Sequence, residues 1–259
     1  MSQKIVYLDC HSGISGNMFL GAMLDAGLSY DTLRDALRAL PLEGYTLKYE
    51  TILDHGITGT HFDVVLKDHE QPSRGFSEIV DLLYNASLSA EVRENAIAIF
   101  RILGEAEAKI HGVSLDEVHF HEVGAVDAIV DITGAAIAME ALGLSQLYAS
   151  PLPLTRGHVR MAHGLMPLPA PATLEILSKA QAPWVPCHLE TELVTPTGAA
   201  ILGALARFET PAMVMEKIGY GFGTKQLPWP NCVRAFVGHA YTSEPGQSKH
   251  GHHHDHHHH

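Results

Sequence analysis

Two histidines two apart, a glutamate directly after them and two aspartates four apart make VHFHEVGAVDAIVD (118–131) the stretch of this chain most able to do chemistry. Residues two apart on a strand point to the same face, so His119 and His121 can converge. Asp127 and Asp131, four apart, share one face of a helix. Glu122 lies at the junction. Imidazole nitrogens suit zinc, nickel, copper or iron, and carboxylates can complete or orient such a set. The same spacing also fits a polar strand end running into a helix with a wet face. Spacing alone leaves both readings open.

Four further stretches carry candidate groups. In LDCHSGISGNM (8–18) a strand ends at Asp9, Cys10 and His11 and turns through Ser12, Gly13, Ser15 and Gly16 into a helix. Backbone N–H groups at a helix start favour an anion, most naturally a phosphate. The turn is neither a Walker A loop nor GxGxxG. Cys10 suits a soft metal ligand, a nucleophile or core packing. In TRGHVRMAHGLMPLPAPAT (155–173), Arg156, His158, Arg160 and His163 gather beside a proline-rich turn, and arginines suit carboxylate or phosphate. An exposed basic edge strand is the alternative. ETELVTPTGAA (190–200) sets Glu190 and Glu192 on one strand face and opens a helix at Thr195, with Thr197 in its first turn. That is a second anion site or simply a capped helix. GYGFGTKQ (219–226) alternates glycines, which lets backbone approach a ligand closely or forms a flexible loop.

The elements that must position these groups follow from pattern. KIVYLDC (4–10), YTLKYETIL (45–53), GTHFDVVLKD (59–68) and NCVRAFVGH (231–239) read as strands, the middle two as a hairpin turning through HGITG (55–59). LYASPLPL (147–154) is a strand broken by prolines. Helical spacing predicts helices over 17–28, 31–40 with Asp31 as cap, 73–85, 89–110 with Ser89 as cap and Gly112 as stop, from about Gly124, from Pro171 and over 195–208. Val126, Ile129, Val130 and Ile132 fall on the inner side of the central one. There is no clean βαβ repeat. The expected fold is α/β, a mixed α+β sheet with flanking helices, with one domain over 1–240 and a disordered His-rich tail over 241–259.

Composition bounds the function. The 259 residues carry a formal charge of −12, which argues against non-specific nucleic-acid binding. No apolar run is long enough to cross a bilayer, and MSQKIVYLDC enters a strand without a secretory leader. Three widely spaced cysteines without CxxC indicate a reducing compartment, hence a cytoplasmic protein. Of 19 histidines, eight lie in HGHHHDHHHH (250–259), which reads as a purification tag or as a native metal-gathering tail.

Together the five stretches, in this order and spanning about Lys4 to Gly238, resemble the nickel insertion protein of the lactate racemase cofactor pathway, the insertase for pyridinium-3,5-bisthiocarboxylic acid mononucleotide. The resemblance implies an enzyme, a nickel chelatase-type lyase, that places Ni²⁺ between two sulfurs and a ring carbon of the mononucleotide. It implies dependence on CTP with Mn²⁺ or Mg²⁺, and a further C-terminal domain associated with CTP binding. Partners so implied are the mononucleotide, nickel, the cofactor-accepting racemase and a separate polypeptide carrying that further domain; a homo-oligomer stays open. Joined to the residues above, nickel falls to His119, His121, Glu122, Asp127, Asp131 and His11. Proton transfer falls to Asp9, Glu122, His121 and Asp127. The substrate phosphate falls to Ser12, Gly13, Ser15, Gly16, Arg156, Arg160, Thr195 and Thr197. One departure stands out. The family's Gly-Asp-Met is here Gly16-Asn17-Met18, which keeps a helix-capping residue but loses a charge. Two other classes compete: a nickel store acting through the tail, and a metal-dependent phosphohydrolase.

Overall fold

The computed structural model describes residues 3–67, 72–120, 125–161 and 163–242. In chain order its elements are β1 (Lys4–Asp9), α1 (Gly16–Asp25), α2 (Tyr30–Leu37), β2 (Tyr45–Asp54), β3 (Ile57–Leu66), β4 (Arg74–Gly75), α3 (Phe76–Asn85), α4 (Ala90–His111), β5 (His119–Phe120) and α5 (Val126–Ala141). They continue with β6 (Gln146–Ala149), β7 (Leu152–Leu154), β8 (His158–Met161), β9 (Gly164–Pro167), α6 (Pro171–Lys179), β10 (Trp184–Pro186), α7 (Pro196–Leu205), β11 (Ala206–Arg207), β12 (Met213–Phe222) and β13 (Cys232–Ala240).

A seven-stranded mixed sheet runs β11-β6-β1-β13-β12-β3-β2. β1 lies parallel to β6 and antiparallel to β13, so the first and last long strands meet at its centre. The β2–β3 hairpin closes one edge. Its turn is tighter than HGITG suggested: His55 and Gly56 both take positive φ, 47° and 80°, a two-residue connection whose twist matches its strands. The expected mixed sheet with flanking helices is the fold observed. The histidine-rich tail lies outside the described residues.

Helix starts follow local chemistry. Ser89 caps α4 and Gly112 ends it at φ 67°. Pro171 opens α6, and Thr195 caps α7 ahead of Pro196. Two caps differ from expectation. Ser29, not Asp31, caps α2, and Ser15 caps α1, so Asn17 lies inside the first turn. Both serines precede the residue expected, and their short hydroxyls reach the N–H groups of Thr32 and Met18.

The glycines of GYGFG belong to β12 and serve helix packing. A Cβ at Gly221 would stand 1.9 Å from the Met18 carbonyl oxygen, and one at Gly219 would stand 2.1 Å from that of Ala22. α1 therefore rests directly on β12 backbone, which holds the helix start rigidly against the sheet. α5 is buried along most of its length, Val126, Ile129, Val130 and Ile132 included. It is the central helix of the core, and its first turns carry Asp127 and Asp131.

Candidate functional site

The starts of α1, α5 and α7 converge on one cavity of about 340 Å³. Ser15, Gly16 and Asn17 line it from α1, Asp127 and Asp131 from α5, and Thr195 and Thr197 from α7. Arg160 and Met161 of β8 and the loop residue Glu192 complete the wall. A smaller cavity of about 200 Å³ shares Ser15, Asn17, Glu192 and Thr195 with it and extends to Lys225. The combined groove has the size and mixed lining of a small-metabolite site.

The junction is built by close backbone approach. Gly13 takes φ 83°, and a Cβ there would stand 2.0 Å from the Leu193 carbonyl oxygen. The Ile14 N–H donates to that oxygen at 2.9 Å, and the Thr195 N–H donates back to the Ile14 carbonyl at 3.1 Å. This exchange locks the first loop to the start of α7. A Cβ on Gly16 would lie 2.5 Å from Asp131 Oδ2, so α1 and α5 touch where the carboxylate projects.

The electrostatics are concentrated at Asp131. Its side chain is only 7% exposed, which removes the wet-face alternative for this residue. Burial, then the charges of Asp127 and Asp63, hold its carboxyl well above the usual carboxylate range. Asp127 is shifted the same way: burial and Asp63 raise it, while the N–H groups of Ala128 and of Asp127 itself pull it down. One oxygen of each, Oδ1, is buried without a hydrogen-bond partner. Buried and unpartnered carboxylate oxygens lining a cavity are costly, and such groups concentrate at functional sites. On the far side of the groove, burial lowers the pKa of Lys225, while Glu192 opposes that shift. The Lys225 ammonium donates to the Glu192 carbonyl oxygen.

The remaining expected residues are placed as follows. Ser12 is buried, donating to the Pro230 carbonyl at 2.9 Å and accepting from Trp229 Nε1 at 3.1 Å, so its hydroxyl is committed to a loop 218 residues away. His11 is exposed, with its ring against Trp229 at 5.4 Å between centroids. Asp9 is paired with Arg234 across the β1–β13 register and accepts from the His11 N–H; it does not line the groove. Arg156 is exposed and outside both cavities, whereas Arg160 lines the larger. Cys10 is fully buried and its thiol is pushed up, mostly by burial, as core packing requires. Glu190 and Glu192 sit in an irregular segment and share no strand face; only Val194 bridges to Ile14. His119 opens into a separate cavity on the other side of Met161. His121 and Glu122 lie outside the described residues. Among the described residues, no three His, Cys, Asp or Glu side chains are already gathered as a metal cage.

Two groups were not singled out by pattern. Asp63 sits on β3 and accepts from Asn17 Nδ2 at 3.4 Å; in FDVV it reads as the polar half of an alternating strand. Lys225 lies within the glycine motif, but nothing local ties it to α7.

Comparison with known proteins gives the family. The profile of the nickel insertion protein family matches residues 6–258. A putative nickel insertion protein of Thermomicrobium roseum is 50% identical over 92% of this chain and 59% of its own length. The pyridinium-3,5-bisthiocarboxylic acid mononucleotide nickel insertion proteins of Desulfitobacterium hafniense and Geobacillus kaustophilus are 46% and 45% identical, over 94% and 91% of this chain and 60% of their own lengths. No solved structure matches the chain. By class the chain is a mixed α/β domain with an acid-lined groove at three helix starts. The chain belongs to the nickel insertion protein family. It spans about three fifths of the length of the curated relatives it matches.

Proposed function

We propose that the groove binds pyridinium-3,5-bisthiocarboxylic acid mononucleotide and is where nickel enters it. The observation that carries this reading is the pair Asp127, half-buried, and Asp131, buried, both raised in pKa and each with one buried, unpartnered oxygen, facing a metabolite-sized cavity. Bonding nickel to both thiocarboxylate sulfurs sets the metal against the ring carbon between them. A carbon–nickel bond forms there as the C–H proton leaves, with no change in oxidation state. The step needs a base inside the site.

Asp131 meets that need in a cation-gated way. Without metal its carboxyl keeps its proton far above the ordinary range. A divalent ion beside Asp127 favours ionisation of both carboxyls, so nickel arrival releases the proton and leaves a poorly solvated base. Substrate positioning falls to the opposite charges. Arg160, Lys225 and N–H groups in the first turns of α1 and α7 offer phosphate contacts. Ser12, Gly13 and Gly16 shape that end through backbone, and the Ser15 and Thr195 hydroxyls cap the two helices. In this reading CTP with Mn²⁺ or Mg²⁺ is handled by the part of the relatives' length outside this chain.

Calorimetry tests the substrate assignment. One mononucleotide per chain is expected to bind, about ten-fold or more weaker once its phosphate is removed. Equal affinity for the dephosphorylated form, or no binding, contradicts the placement.

A further inference from the structure

α1 covers one face of the central sheet, where Gly219 and Gly221 of β12 admit its backbone. Ile218 and Tyr220 alternate with those glycines and point to the other face. The strand register carries that second face across four strands. Tyr148 of β6 lies opposite Tyr7 of β1, Tyr7 opposite Phe236 of β13, and Phe236 opposite Ile218. The Tyr7 and Phe236 rings stand 5.7 Å apart between centroids, and the Arg234 guanidinium lies 5.5 Å from the Phe236 centroid. Met215, paired with Gly238, extends the patch towards the Ala240 end of β13.

A sheet face bathed by water carries polar side chains between its apolar ones. Here the outward set is aromatic and aliphatic, yet none of these residues joins the apolar core that Val6, Leu147, Ala235 and Val237 form on the helix side. Ile218 and Met215 are 45% and 55% exposed, and the three rings are half-buried. A contiguous exposed apolar patch of aromatic and Met side chains beside an Arg has the composition of an interface. Strand spacing makes it about 14 Å across and about as long, a footprint of roughly 200 Å². A stable dimer buries about 800 Å² per partner. The patch therefore suits an occupant held nearby by its own chain.

β1 and β13 bring both ends of the domain to this patch. Lys4 pairs with His239, and the Ala240 N–H donates to the Gln3 carbonyl at 3.0 Å. The Thermomicrobium roseum relative matches this chain over 59% of its own length. Length outside that match, whether it precedes β1 or follows β13, joins the domain at this one corner, beside Met215. After Tyr241 the present sequence carries no Val, Leu, Ile, Met, Phe, Tyr or Trp, so its own remainder offers no such side chain to the patch. We infer that the second sheet face seats the part of the relatives' length that lies outside the match, which places the sheet between its helices and that part. The inference rests on family membership and on the sheet, and is independent of what the groove binds.

Hydroxyl-radical footprinting of this full chain and of the intact Thermomicrobium roseum relative tests it, each rate normalised to the side chain's intrinsic reactivity. In this chain Met215, Tyr7 and Phe236 are expected to be modified at rates independent of chain concentration. In the intact relative the matching positions are expected to react about ten-fold more slowly, because a seated partner excludes water from the patch. The position matching Tyr84, 60% exposed on α3, should react alike in both. Glutamates at the relative's positions matching Met215 and Ile218 are expected to return the row to the rate seen in this chain. Met215→Glu/Ile218→Glu in this chain, at two exposed sites, should leave its thermal midpoint unchanged and so controls for folding. Equal rates in the two proteins overturn the inference, as does protection in the relative that survives the glutamates. Protection in this chain that grows with its concentration also overturns it, and gives the face to a second copy.

Discussion

Asp131→Asn is expected to slow nickel insertion by about 100-fold or more, the usual contribution of a positioned general base, while leaving the chain folded. Two measurements separate the role from mere structure. The first is the rate of insertion at saturating mononucleotide, which falls while substrate affinity holds within a few-fold. The second is thermal stability against pH. Burial and the neighbouring charges of Asp127 and Asp63 raise the folded-state pKa of Asp131 above its unfolded value. The folded chain therefore binds more protons than the unfolded chain between those two values, and stability falls as pH rises through that window. Asparagine does not titrate. The variant should gain stability relative to wild type as pH rises across the same window, and the pH slope of its midpoint should flatten. A variant that loses stability equally at all pH values, with insertion unchanged, assigns Asp131 to packing.

Asn17→Asp tests what a charge at this position does. Asn17 Nδ2 now donates to Asp63, and the groove holds Asp127 and Asp131 nearby. A carboxylate in its place faces Asp63 across 3.4 Å, where like charges at an effective dielectric near that of a protein surface repel by about 5 kcal/mol. Part of this is relieved by rearrangement or proton uptake, so the expected loss at neutral pH without metal is about 2 kcal/mol. A divalent cation reverses the sign. The added carboxylate should tighten its binding and restore the lost stability as cation is titrated in. Denaturant unfolding with and without Mg²⁺ or Ni²⁺ reads both effects. Equal destabilisation in the two conditions shows that the groove does not hold a cation.

Much of the frame was legible because its signals are local. Thr195-Pro196 and Pro171 announce helix starts through a fixed φ and a dispensable N–H, and the β2–β3 strands alternate as a hairpin should. Less was legible where one residue's surroundings depend on a distant partner. The GYGFG glycines read as either a ligand-approaching backbone or a flexible loop because α1, which they admit, lies some two hundred residues earlier. The partners of the Ser12 hydroxyl, Trp229 and Pro230, could not be read locally because they lie at the other end of the chain. Asp63 was hidden by strand alternation, which makes any polar residue look solvent-facing. His119 and Asp127, close in sequence, were grouped together, yet they line different cavities.

The most direct test of the central claim is a single turnover on mononucleotide deuterated at the ring carbon between its thiocarboxylates. Stoichiometric chain, a separate polypeptide supplying the remaining part of the relatives' length, Ni²⁺, CTP and Mg²⁺ are mixed with it and the product is followed by mass spectrometry. Insertion in this groove predicts that each nickel gained is matched by one deuterium lost, and that Asp131→Asn abolishes both together. Nickel bound with the deuterium retained, or deuterium lost equally fast in Asp131→Asn, contradicts it.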